Sequence, residues 1–305
     1  MMNKIFFFLI VALFSCDKTN VTNKPTSASS SQTENIATSA EFNAYWYAGK
    51  AELNRYELEQ ARYSEMRKGN AVLVFVTEPF SKQKQVKLDD ANASPNDVVQ
   101  VLKLNFTKKF DTGIYPYSVM TSAFTPVDVS QKTVKVTSSM QEWCGHVFTQ
   151  LNLKNKQYGA NVFSYFESEG DKKSELGEAL SEDGIWSTLR INPTQLPQGK
   201  VKIIPSLSYL RFSHKELKAI EATASLSTTN FNQMSVNQYL MQYEGRSLKI
   251  YFEPKSPFTI QGWEETYSDF GKTLTTRGTL KKTIMLDYWA HHKNEDDALR
   301  ADFYK

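Results

Sequence analysis

The chain has 305 residues, is 40% hydrophobic and 13% aromatic, and carries a formal net charge of +3. A length of this order can bury an adequate core without disulfides, and the only cysteines are Cys16 and Cys144. Basic residues are scattered as pairs such as Lys108-Lys109, Lys172-Lys173 and Lys281-Lys282, which gives none of the basic stripe that a nucleic-acid binder needs.

In chain order, the first feature is Ile5 to Phe14, an unbroken apolar run behind the positive start Met1-Met2-Asn3-Lys4. It has the size of a signal-peptide core and is too short to span a bilayer. Leu13-Phe14-Ser15-Cys16 resembles a bacterial lipobox, which implies a signal peptide over 1–15 and lipid (palmitate-type acylation) on Cys16 of the exported chain. More than one acyl chain holds such a protein firmly to a membrane. Residues 17–40 are rich in Ser, Thr and Asn and cannot bury enough surface to order themselves. With Cys16 they read as a flexible tether over 16–40, reaching at most roughly 80 Å. A single β-rich domain is expected over 41–305.

Within that domain, 51–63 is ambiguous and leans to strand, and Lys68-Gly69-Asn70 is a turn signal. Ala71 to Val76 is a short β-branched run, the mark of a buried strand. Further strands are expected at 98–106, 133–138, 141–153, 160–167, 187–192, 200–204, 207–213, 217–226, 236–243, 247–253, 258–267, 273–279 and 281–289. Tyr243-Glu244-Gly245-Arg246 reads as a hairpin turn. Two short helices are expected. One spans 174–180 and is closed by Glu182-Asp183-Gly184. The other spans 294–303 and is capped by Asn294. Successive strands with short links make the fold mainly β: a large antiparallel sheet, half-open and barrel-like, with a β-sandwich as the alternative.

Four constellations could carry chemistry. In a strand over 141–153, Cys144 and His146 share a face, so the imidazole could draw off the thiol proton and make a nucleophile. Trp143-Cys144-Gly145 lacks the second cysteine and the βαβ setting of a thioredoxin-like motif, which removes disulfide exchange. His291-His292 lies near Asp287 and Glu295 to Asp297, but adjacent histidines diverge on any regular backbone, and the acids already suit a helix start. No metal site or cofactor is therefore expected. Glu264-Glu265 and Glu167 with Glu169 are pairs that general acid–base chemistry could use. Finally Trp143, Phe163, Phe166, Trp186, Phe252 and Trp263 could line a pocket for an apolar ligand inside a curled sheet, or could be ordinary core.

The segments YELEQARYSEMRKGNAVLVFVTEPF (56–80), KKFDTGIYPYSVMTSAFTPV (108–127), SMQEWCGHVFTQLN (139–152), GWEETY (262–267) and KKTIMLDYW (281–289) carry a resemblance that covers nearly all of 41–300. They look like a family of Bacteroidetes-type envelope lipoproteins whose members often bear the label septum formation inhibitor Maf. The resemblance implies an exported, lipid-anchored protein of the outer membrane. It does not imply nucleotide pyrophosphatase activity, because the serine- and arginine-containing phosphate motif of Maf enzymes is missing. The function expected is binding of an apolar ligand or an envelope partner. The alternatives are a thiol-dependent enzyme using Cys144 and His146, and a structural or assembly lipoprotein.

Overall fold

The computed structural model describes residues 39–305. The signal peptide over 1–15, the lipid site Cys16 and nearly all of the tether lie outside the described residues. The description opens on α1 (Ala40–Trp46), whose N-cap Ser39 accepts a hydrogen bond from the Phe42 amide at 3.1 Å.

Fifteen strands follow in one sheet. The first eight are β1 (Ala51–Arg62), β2 (Glu65–Ser81), β3 (Val98–Thr112), β4 (Tyr115–Pro126), β5 (Lys135–Glu142), β6 (Gly145–Lys154), β7 (Gln157–Ser164) and β8 (Lys172–Glu175). They form a meander from the middle of the sheet to one edge. The chain then starts again at the other edge with β9 (Leu180–Ser181), α2 (Glu182–Ile191), β10 (Gly199–Ile204) and α3 (Leu207–Phe212). It returns through β11 (Ile220–Phe231), β12 (Met234–Tyr243), β13 (Arg246–Phe252), β14 (Ile260–Asp269) and β15 (Lys272–Leu286), which pairs antiparallel with β1. A final helix, α4 (Asp297–Tyr304), closes the chain. Every pairing is antiparallel except the two-residue β9–β10 contact.

The two edges, β8 and β9, are joined by residues 176–179 alone, a span of at most roughly 18 Å. A sheet of fifteen strands about 4.8 Å apart can bring its edges that close only by curling on itself. The contacts of α2 show the same curl. Its Trp186 meets Phe106 of β3 and Trp263 of β14, its Arg190 meets Glu52 of β1, and its Glu182 meets Arg246 of β13. One short helix touches strands this far apart in the sheet only from inside it. The architecture is thus the half-open barrel expected from sequence, not a sandwich, with a seam between β8 and β9. Close approach in the lumen needs a missing side chain at Gly278, where a Cβ would stand 2.1 Å from the Trp263 ring.

Strand alternation places the turns. Turns 63–64, 113–114, 143–144, 165–171, 244–245 and 270–271 fall at one end, together with α3. Turns 82–97, 127–134, 155–156, 232–233 and 253–259 fall at the other, together with α1.

Several local expectations are corrected. Residues 187–192 and 207–213 belong to α2 and α3 rather than strands. α2 is buried on nearly all faces, its charged Glu182, Asp183 and Arg190 included, and is only ten residues long, and α3 is too short to show a helical period. Glu182-Asp183-Gly184 opens α2 instead of closing a helix, and 172–175 is the edge strand β8. The turn signal Lys68-Gly69-Asn70 lies inside β2; the turn is made by Tyr63-Ser64, both left-handed, with φ of 58° and 59°. The expected strands 273–279 and 281–289 are one strand, β15. Its pairing with β1 shifts register where Arg55 faces Lys282 and Tyr56 faces Leu280, leaving Lys281 bulged. Asn294 sits in a 3-10 turn and the cap of α4 is Asp296.

Candidate functional site

The expected thiol pair does not form on one strand face. Trp143 and Cys144 make the two-residue turn between β5 and β6, while His146 lies on the outer face of β6 opposite Gln141. The Cys144 thiol is exposed, and its neighbouring acid is Glu142, whose carboxylate accepts from the Cys144 amide at 2.6 Å. Hydrogen bonding to Glu142, reinforced by its charge, pushes the thiol up from its ordinary pKa. That is the opposite of what a thiolate nucleophile needs.

The other pairs are also divided. Glu264 faces outward to Arg277 at 3.1 Å and Tyr251 at 3.1 Å, whereas Glu265 points inward to Arg246 at 2.9 Å. Glu167 is exposed, and Glu169 is held by Arg211 at 3.1 Å and His214 at 2.9 Å. His291 bridges Asp296 at 3.0 Å and Asp287 at 3.4 Å, while His292 turns to the Trp289 carbonyl. Among the described residues no cluster of three or more such ligands could hold a metal ion.

The six aromatics do not surround one cavity. Trp186, Trp263 and Phe252 are buried in the lumen, Phe163 stacks with Phe148 on the outer surface, Trp143 stands on its turn, and Phe166 lies under Arg211 beside His214. The lumen is filled by α2 and by two ionic knots. Arg190 clamps Glu52 at 2.7 Å, Asn54 donates to the same carboxylate at 2.6 Å, and Tyr45 joins them. Arg246 bridges Glu182 at 2.7 Å and Glu265 at 2.9 Å, with Lys108 3.6 Å from Glu265. These cations hold Glu52 and Glu265 below the usual carboxylate range although burial pushes the other way. The space left beside Trp186 and Trp263 is about 20 Å³, enough for about one water molecule.

The seam is different. Between the inner face of β6–β8 and α3 with its following loop lies a cleft of about 490 Å³, within the range of small-molecule sites. Its apolar surface comes from Val147, Val162, Leu207, Leu210 and Leu217. Its edges carry Lys172, Lys173, Arg211 and Lys215 against the carboxylates Glu169 and Glu216. Arg211 is fixed over the Phe166 ring at 4.3 Å and is tied to Glu169, so its position is set before any ligand arrives. A groove of the same volume on the outer side of β6–β8, lined by Asn152, Asn161 and Glu175, has no comparable apolar floor. The seam cleft therefore combines two chemistries: an apolar trough and a net cationic entrance.

No family model matches the chain. No curated protein matches it. Among solved structures it is similar to a beta-barrel-like protein of domain of unknown function DUF1849 from Brucella abortus, at 10% identity and a TM-score of 0.46, over 77% of this chain and 98% of the other.

Sequence reasoning reached some parts of the cleft and missed its assembly. Lys172-Lys173 is visible as a basic pair, but on an edge strand such lysines also block edge-to-edge pairing, so nothing in the pair alone points to a ligand. Arg211 lies in the last turn of a helix that the sequence pattern reads as a strand, and His214 lies just after it. What unites them is the seam, which depends on sheet closure over the whole chain.

Proposed function

We propose that this protein is a lipid-anchored cell-envelope binder of amphiphiles, taking a molecule with an apolar chain and an anionic head into the seam cleft. The observation that carries the reading is the cleft itself, where Val147, Val162, Leu207 and Leu210 form a trough beside Lys172, Lys173, Arg211 and Lys215. Apolar surface contributes affinity as it leaves water, roughly 25 cal/mol per Å². Arginine and lysine at the mouth supply charge-assisted hydrogen bonds that fix the head. The export signal and the lipobox-like Leu13 to Cys16 support envelope attachment, and the tether supplies reach.

The reading requires both ends of the ligand. A long-chain fatty acid is expected to bind with a saturable isotherm. Its methyl ester, which lacks the charge, and acetate, which lacks the chain, are expected to bind at least about tenfold more weakly, a loss of about 1.4 kcal/mol. Reversing the entrance with Lys172→Glu, Lys173→Glu and Lys215→Glu should abolish the preference for the acid over the ester. Equal binding of acid and ester by the unaltered protein would contradict the proposal.

A further inference from the structure

Among the described residues, the four most exposed large hydrophobic side chains are Ile114 at 82%, Trp143 at 68%, Tyr165 at 65% and Phe270 at 60%. All four stand on turns at one end of the barrel, the end where the seam cleft opens. In sheet order they occupy the tips β7–β8, β5–β6, β3–β4 and β14–β15, and only the β1–β2 tip, Tyr63-Ser64, lies between the last two. Neighbouring tips are two strands apart, about 10 Å; Trp143 packs against Tyr115 of the next hairpin at 6.2 Å between rings, yet all four side chains stay largely exposed.

Their positions are held by the fold. Tyr165 crosses Gly145 so closely that a Cβ there would stand 2.5 Å from its ring. Phe270 sits at a left-handed φ of 47° and Tyr63 at 58°, 5.2 Å apart ring to ring, with Arg62 4.2 Å over Tyr63. Bulky residues rarely take that conformation, and asparagine takes it readily. The two-residue turns at the opposite end use asparagine, Asn155 and Asn232, at φ of 49° and 50°, although Phe258 takes φ of 58° in the longer 253–259 loop there.

We infer that this aromatic rim docks on the interfacial zone of a phospholipid bilayer and turns the mouth of the seam cleft toward the lipid. Single apolar side chains on separate tips would each need their own pocket on a protein partner. A headgroup layer receives them without shape matching, and tryptophan and tyrosine favour that zone. Of the rim carboxylates, Glu65, Asp269, Glu216 and Glu142 are held by Arg67, the Ser64 amide, Lys218 and the Cys144 amide, and Asp111 and Glu244 stand exposed beside their turns. Lys172, Lys173 and Lys215, exposed beside the cleft, have the charge to meet lipid phosphates, with Glu167 and Asp171 keeping the field mixed. The chain enters the domain at α1, at the far end. The barrel is at most roughly 50 Å long, the extended length of the 15 residues of β3 at about 3.3 Å each, and less along its axis because barrel strands tilt. A tether reaching up to roughly 80 Å can run its length, so an anchor at Cys16 permits the rim to meet the same membrane. The inference deepens the amphiphile reading and rests on it for the role of the cleft.

The test uses the full chain with Cys16→Ser, which leaves Cys144, next to Trp143, as the one thiol for an environment-sensitive dye. Vesicles of three parts phosphatidylethanolamine to one part phosphatidylglycerol should shift the dye to the blue. The same dye on Lys84→Cys, in a chain also carrying Cys144→Ser, reports the opposite end and should not shift. Ile114→Ser with Phe270→Asn should weaken vesicle affinity by about tenfold or more, with the leader identical in both chains. A shift at Lys84→Cys without one at Cys144, or unchanged affinity in the rim variant, overturns the inference. A fatty-acid titration on the same rim variant separates the two readings. Retained fatty-acid binding with lost vesicle binding supports the rim, and lost fatty-acid binding in the unaltered protein overturns the cleft alone.

Discussion

The two ends of the barrel are finished in opposite ways. At the α1 end the opening is plugged: Trp46 and Phe42 are buried, and Arg190 is enclosed between Trp46, Phe75 and Glu52. Its tight turns carry Asn155-Lys156 and Asn232-Gln233. At the other end α3 covers only part of the mouth, the seam stays open beside it, and the tips carry Ile114, Trp143, Tyr165 and Phe270. The α1 end closes over buried Trp46, Phe42 and Phe75, with Trp289 and Tyr47 half exposed beside the plug, whereas the other end carries the four most exposed large apolar side chains among the described residues. The difference separates what stabilises the fold from what is left for function.

Changes at the plugged end should therefore cost most. Arg190→Met leaves the Glu52 carboxylate buried without its cation, and unpairing a buried ion costs about 3–5 kcal/mol. Urea denaturation should show a loss of that order, and Glu52→Gln added to Arg190→Met should recover part of it. Full stability in the single variant would break the comparison.

The next effect is pH-dependent. Asp183 starts α2, accepts from the Leu207 amide at 3.0 Å, and is pushed by burial up to about 6 from 3.8. A carboxyl whose pKa is raised on folding binds more protons when native, so its contribution is full below about pH 4 and is lost as pH rises through about 6. The shift corresponds to roughly 3 kcal/mol at neutral pH. Asp183→Asn should remove that downward slope between about pH 4 and 6. Glu52 and Glu265, held low by arginine, act oppositely: their contribution is present above their ordinary pKa and is lost as pH falls through the depressed values.

Between the two ends, Gly278→Ala sets a Cβ against the Trp263 ring and should cost about 1–3 kcal/mol through overpacking, read as a lower Tm. At the open end, Ile114→Ser should leave stability within about 0.5 kcal/mol while weakening vesicle binding. A large stability loss there would mean that the displayed residues are structural after all.

The sequence pattern carried the sheet well, because strand alternation is local: β12 to β14 fall where the apolar periodicity places them, and β3 starts where expected, though β2 and β3 both run longer than the pattern shows. It failed where tertiary burial overrides local pattern. In α2, Glu182, Asp183 and Arg190 are charged yet buried, and their partners lie elsewhere along the chain, on β13, at the start of α3 and on β1. The cleft was illegible for the same reason. Val147 and Val162 look like ordinary strand residues and Leu207 to Arg211 like another strand, and only the seam brings them together. Cys144 shows the converse: a motif that looked chemical on a strand is a turn thiol governed by Glu142.

The most direct measurement is native mass spectrometry of the full chain purified from the envelope of a related host. A discrete added mass is expected, identifiable as an acyl anion and distinct from any covalent lipid, that disappears in the Lys172→Glu, Lys173→Glu, Lys215→Glu protein. A chain carrying no such mass, or one that retains it after charge reversal, would contradict the seam cleft as an amphiphile site.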